Sequence, residues 1–169
     1  MRSHEIFQRM SPALAMDIFT YLHASDRNIY KAVIQGLASQ RNLRPVFVER
    51  KPPAERHAWM KAALARKISE TLASHVIQAW LLGAHRQMLC DFLDSLGLAH
   101  DDDGTVEEIP PAPPKEEIAA AVEKLLGKYP PESVSVYLHA FRDMDSAVRW
   151  PPLDEILRDD TRLQLQTIS

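Results

Sequence analysis

The chain has 169 residues, of which 46% are hydrophobic and 25% charged, and its formal net charge is −3. This composition is typical of a globular protein with one full core, and it excludes the disordered and fibrous classes. The lone Cys90 cannot support a disulfide framework, so we expect a core thiol and a cytoplasmic protein.

Apolar residues at helical spacing predict three helices before residue 41. Ile6 and Phe7 lie in the first, which ends at Ser11-Pro12. The same pair starts the second helix, because serine can cap it and proline fits its first position. Asp26 is the predicted start of the third helix.

Residues 41–53 (RNLRPVFVERKPP) lack helical periodicity and place β-branched residues on both sides of Phe47. They predict an extended connection bounded by prolines. A short strand is the alternative, although no second strand is predicted with which it could pair. Helix resumes at Pro53 and continues through Trp59.

The segment 69–97 is predicted to be the central buried helix, because it is apolar on nearly every side between residues 76 and 84. Ser69 is its expected N-cap and Gly97 its left-handed C-terminal cap. One rod from residue 53 would measure about 66 Å at roughly 1.5 Å per residue, which is long for a compact domain. We therefore expect a break near residues 67–69 and a kink or second break at Gly83.

Residues 100–114 predict an acidic, Pro-rich connector, with a turn at Asp103-Gly104 and an extended strap over 110–114. Proline and glycine positions then predict helices that begin near Pro114, Tyr129 and Trp150. No segment approaches the roughly 20 apolar residues that cross a bilayer, and the first ten residues contain no signal segment, so no membrane contact is expected.

These elements predict an all-α fold, an irregular bundle of seven or eight helices around residues 69–97 with the extended strap at 100–114. We expect a single helical domain over residues 1–169. The alternative division has a main bundle at 1–99, the connector at 100–114, and a helical hairpin with a short last helix at 115–169.

Two histidine and aspartate pairs are the candidate metal ligands. His23 and Asp26 are three residues apart and His139 and Asp143 four, so each pair can lie on one helix face. If the two helices met, two imidazoles and two carboxylates would suit zinc or iron. The alternative is that the histidines lie half-exposed near helix ends while the aspartates cap a turn or face water.

Charge is divided along the chain. Residues 41–67 contain eight basic residues against two acidic ones, a net of +6, whereas residues 91–132 contain eleven acidic residues against three lysines, a net of −8. The basic segment could face water, pair with the acidic connector, bind a partner protein, or bind nucleic-acid phosphates. Its candidate contact residues are Arg44, Phe47, Arg50, Lys51, Arg56, Trp59, Lys61, Arg66 and Lys67.

No catalytic motif is present: the sequence lacks a Gly-x-Ser-x-Gly elbow, a phosphate-binding glycine loop, His-Glu-x-x-His and Cys-x-x-Cys. We predict no catalytic residues and no cofactor. The favoured function is a protein-interaction or self-associating module, with a protein partner or a homo-oligomer. The alternatives are nucleic-acid binding through residues 41–67, and metal or small-molecule binding through His23, Asp26, His139 and Asp143.

Overall fold

The structure, a computed structural model, describes residues 1–145 and 147–165 and is all-α in this part of the chain, as predicted. Ten α-helices and two 3₁₀ turns are present there, rather than seven or eight helices. The helices are α1 (Ser3–Arg9), α2 (Pro12–Ser25), α3 (Arg27–Gln40), α4 (Pro45–Glu49), α5 (Pro53–Leu64), α6 (Glu70–Ala84), α7 (Arg86–Ser95), α8 (Lys115–Lys128), α9 (Pro131–Arg142) and α10 (Pro151–Asp159).

Within the described residues, backbone contacts group 1–80 into one compact unit and 81–165 into another. We call them unit 1 and unit 2. The division falls within α6, so the prediction of a single domain stays a prediction. No helix described by the structure is both long and apolar enough to span a bilayer.

Most large apolar residues of the predicted central segment are buried, and the segment is broken at both predicted places. Val76, Trp80 and Leu81 are 0 to 4% exposed. A 3₁₀ turn at Lys67–Ser69 precedes α6, and α6 ends one residue beyond Gly83. The Ser69 hydroxyl, the expected N-cap of α6, donates to the Ala63 carbonyl and accepts from the Gln40 side-chain amide.

In unit 1, α5 packs against α1, α2 and α3. The caps of these helices follow the sequence prediction: Ser11 accepts from the Leu14 N–H, and Asp26 accepts from the Ile29 N–H. Both caps satisfy backbone donors that the first helical turn leaves unpaired. The start of α3 is thereby fixed by Asp26, a residue that the sequence also offered as a metal ligand.

The extended connection predicted over residues 41–53 is wrong, because residues 45–49 form α4. Pro45 occupies the first turn, where its missing N–H costs nothing, and the Arg50 N–H donates to the Val46 carbonyl at 3.1 Å. Val48 is fully buried, and α4 packs against α3. Burial of one face therefore outweighs the extended preference of the two valines.

In unit 2, α7 to α10 enclose an aromatic cluster. The ring centroids of Phe92 and Phe141 are 5.5 Å apart, and those of Phe141 and Trp150 are 5.0 Å apart. The Trp150 indole also donates to the Pro110 carbonyl at 2.8 Å, which attaches the strap to this core. Gly97 has the left-handed φ of +66° expected of a C-terminal cap.

Candidate functional site

Three exposed apolar side chains are concentrated at α4. Leu43, Val46 and Phe47 are 38%, 41% and 56% exposed, and they are three of the five large apolar side chains that are exposed in the described chain. Scattered apolar residues are ordinary on protein surfaces, but a group within five consecutive positions is not. This group identifies α4 as the candidate binding surface.

The backbone around these side chains is held at both ends. Before α4, Asn42 adopts a left-handed φ of +53° and the Leu43 N–H donates to the Ala38 carbonyl at 2.9 Å, so the end of α3 is capped. After α4, the Arg56 guanidinium donates to the Glu49 carbonyl at 2.8 Å. Phe47 is therefore presented by a segment whose position is already set.

Basic side chains flank the apolar group. Arg44 and Arg50 are exposed on either side of α4, and Arg41 and Lys51 lie just beyond them. With Glu49 as the only carboxylate in residues 41–51, the net charge of this stretch is +3. We refer to Arg41, Leu43, Arg44, Val46, Phe47, Arg50 and Lys51 as the α4 patch.

Trp59 supports the patch rather than lying open beside it. The Arg41 guanidinium carbon is 3.9 Å from the centroid of the Trp59 ring, and Lys51 Nζ is 4.7 Å from it. Cation–π contacts of this kind hold both basic side chains against the indole. Lys51 also pairs with Glu55 at 3.0 Å. The predicted use of Trp59 for base stacking would require these cations to move.

The remaining predicted contact residues lie further along unit 1. Lys61 is half-buried in α5, whereas Arg66 and Lys67 are exposed where α5 gives way to the 3₁₀ turn. Arg66 donates to the side chain of Gln40 at 3.3 Å. The nine predicted residues therefore extend from α4 and its flanks, through α5, to the 3₁₀ turn that follows it.

The predicted metal ligands are distributed between the two units. His23 is exposed in unit 1, with its ring centroid 4.9 Å from that of Tyr30, while Asp26 caps α3. His139 is buried in α9 of unit 2. Asp143 Oδ1 lies 3.6 Å from Nη1 of Arg142. Over residues 1–145 and 147–165, no group of three or more His, Cys, Asp or Glu side chains could hold a metal ion.

The acidic connector in unit 2 presents carboxylates on a defined turn. Gly104 has a φ of +83°, and its N–H donates to the Asp101 carbonyl at 2.9 Å. The Asp101 N–H donates to the Thr105 carbonyl at 2.9 Å, which closes the loop. Four acidic residues of the connector are exposed, namely Asp101, Asp102, Glu107 and Glu108.

Sequence reasoning missed Leu43, Val46 and Arg41 as members of the surface. The sequence contains a signal for α4 in Pro45, a residue favoured at the first position of a helix. Exposure of Val46 and Phe47 could not be predicted locally, because it depends on Val48 being the residue that packs against α3.

Neither protein-family models, curated proteins nor solved structures gave a match to this chain.

Proposed function

We propose that this chain is a self-associating binding module in which the α4 patch of one copy binds the acidic connector of a second copy. The observation that carries the proposal is the exposed apolar group at α4, on a backbone held at both ends. A preformed surface loses little conformational entropy on binding, so more of its contact free energy is retained as affinity.

Charge selects the kind of occupant. The +3 charge of residues 41–51 favours an acidic segment. Two α4 patches placed face to face would bring Arg44 and Arg50 against the same residues of the other copy, and like charges in contact oppose association. Pairing of the patch with itself is therefore disfavoured.

The connector of a second copy has the complementary chemistry. Its exposed carboxylates match the arginines, and the half-buried Val106 and Ile109 can contact the apolar group. Because the patch and the connector are different surfaces, the contact is heterologous and joins copies head to tail. Such contacts passed from copy to copy give a ring or an open chain, whereas two copies that make the contact reciprocally form a closed two-fold dimer.

Nucleic-acid binding through residues 41–67 has less support. The exposed Phe47 could stack on a base. However, the face of Trp59 already contacts two cations, and Arg56 donates to backbone carbonyls of Glu49 and Lys51. These contacts within unit 1 favour a structural role for Arg41, Lys51 and Arg56.

Sedimentation velocity of the full chain from about 1 to 100 µM tests the proposal over the affinity range expected of a small, partly polar interface. We expect the mean mass to rise with protein concentration at low salt. Raising the salt to about 0.5 M should reduce the association, because exposed charge pairs are screened. A mass that stays at one chain throughout the range would overturn the proposal.

A further inference from the structure

A second feature of unit 1 is a cleft of about 210 Å³ bordered by α2, α3, α4 and α5. It is smaller than the roughly 300–1,000 Å³ of the cavities that usually hold drug-sized ligands, so it has room only for a smaller molecule. Tyr30 lines the cleft, and its side chain is only 5% exposed. The Tyr30 hydroxyl lies 3.2 Å from Nε2 of the buried His57, and this contact fixes the position of the ring.

The lining of the cleft is cationic. Arg27, Lys31 and Arg56 contribute three positive charges against the single carboxylate of Glu49, a net of +2. The exposed His23 adds an imidazole at the rim, edge-on to Tyr30. A +2 lining is the electrostatic complement of a doubly charged anion.

Two of these cations lie close together at the start of α3. Arg27 is the first residue of α3, where a positive charge opposes the helix dipole, and the N-cap Asp26 supplies the carboxylate at that end of the helix. Lys31 is four residues further on, so the two like charges are neighbours on one helix face. This like-charge pair is mildly unfavourable for α3, and it concentrates positive charge at the cleft.

Aromatic and aliphatic walls accompany the charges. The Tyr30 ring and Ile34 line the cleft next to the cations. An anion with a compact apolar body can therefore place its charge against Arg27 and Lys31, near the charge of Arg56, and its body against Tyr30. Charge-assisted hydrogen bonds from arginine to phosphate oxygens are among the strongest that a surface site can make.

We propose that the unit 1 cleft binds a small phosphomonoester with an apolar or aromatic body. The phosphoryl dianion contacts Arg27 and Lys31, and Arg56 adds its positive charge while its Nη1 keeps the hydrogen bond to the Glu49 carbonyl. The body lies against Tyr30. This site is separate from the self-association proposed for the α4 patch, and it stands whether or not the chain associates.

Titration calorimetry and amide NMR shifts test the site with phenyl phosphate, inorganic phosphate, benzoate and phenol. We expect saturable binding of phenyl phosphate, with shifts concentrated at residues 27–34. Inorganic phosphate and benzoate should bind at least about tenfold more weakly, because one lacks the body and the other the second charge. Phenol should not bind. Equal affinity for benzoate and phenyl phosphate would contradict the phosphate assignment.

The double variant Arg27→Gln/Lys31→Gln should lower the affinity for phenyl phosphate at least tenfold. It should also remain folded, since it removes a repulsive pair from α3. The matched control is Arg9→Gln, which removes an exposed arginine at the end of α1. We expect the control to bind as the wild type does. Unchanged binding in the double variant, or no saturation of the wild type by about 10 mM phenyl phosphate, would show that the cleft is not such a site.

Discussion

Replacing Phe47 by glutamate is expected to raise the dissociation constant for self-association by roughly 100-fold or more. The side chain is the most exposed member of the apolar group, at 56%, and it lies between Arg44 and Arg50. The substitution removes a central aromatic contact and places a carboxylate where the acidic connector is proposed to bind, so lost burial and new repulsion act in the same direction.

Ile68→Glu is the matched control for this experiment. Ile68 is 82% exposed in the 3₁₀ turn and lies outside the α4 patch, yet the two variants change hydrophobicity and charge alike. We expect Ile68→Glu to associate as the wild type does in sedimentation velocity. If both variants weaken association equally, general charge would be the cause rather than the α4 patch.

The second large effect concerns the pH dependence of folding at His57. Burial, with smaller contributions from the neighbouring charges of Arg56 and His23, lowers the pKa of His57 from 6.5 to about 4. Its Nδ1 lies 3.0 Å from Met16 Sδ and its Nε2 3.2 Å from the Tyr30 hydroxyl, contacts that suit a neutral ring. Folded unit 1 therefore keeps His57 neutral in a pH range where the unfolded chain protonates it.

The direction in which His57 changes the stability of the protein with pH follows from proton linkage. Between pH 6.5 and about 4 the unfolded chain binds more protons at His57, so its contribution to stability is complete above pH 6.5 and is lost as the pH falls. A pKa shift of this size corresponds to about 3 kcal/mol in the free energy of unfolding. The pKa of Glu70 is also lowered, although burial opposes the shift, because hydrogen bonds from His4 and Ser3 stabilise the carboxylate; its stabilisation is lost only below pH 4.5.

Urea unfolding followed by tryptophan fluorescence at pH 7 and pH 4 measures this contribution. We expect wild-type protein to lose about 3 kcal/mol more than His57→Gln over that interval, since glutamine does not titrate. His75→Gln, at an exposed position of α6, should follow the wild-type profile. Parallel profiles for His57→Gln and wild type would contradict the assignment.

Much of the helical architecture could be predicted because its signals are local. Ser11 with Pro12, Asp26 and Gly97 each mark a helix end through their own backbone preference, and the structure places caps at all three. The break before α6 followed from length alone. In residues 41–53 Pro45 is a local signal for a helix start, but the five-residue helix is too short to show an apolar period, so the pattern favoured an extended connection.

The candidate site was harder to predict, because exposure is a property of packing. Phe47 could be selected because basic residues surround it in the sequence. Val46 and Val48 are the same residue type, yet Val46 is 41% exposed and Val48 is buried. The buried contact between His57 and Tyr30 joins residues 27 positions apart, and no pattern in the sequence relates them. His23 was predicted as a metal ligand, and the structure adds its contact with Tyr30.

A mixing experiment tests the head-to-tail contact most directly. Phe47→Glu disables the patch, and Glu107→Lys/Glu108→Lys reverses two exposed charges of the connector outside the hydrogen-bonded turn at residues 101–105. We expect each variant alone to sediment as a monomer at low salt, and an equimolar mixture to form a heterodimer, because each retains the half that the other lacks. A mixture that remains monomeric while the wild type associates would contradict the proposed contact.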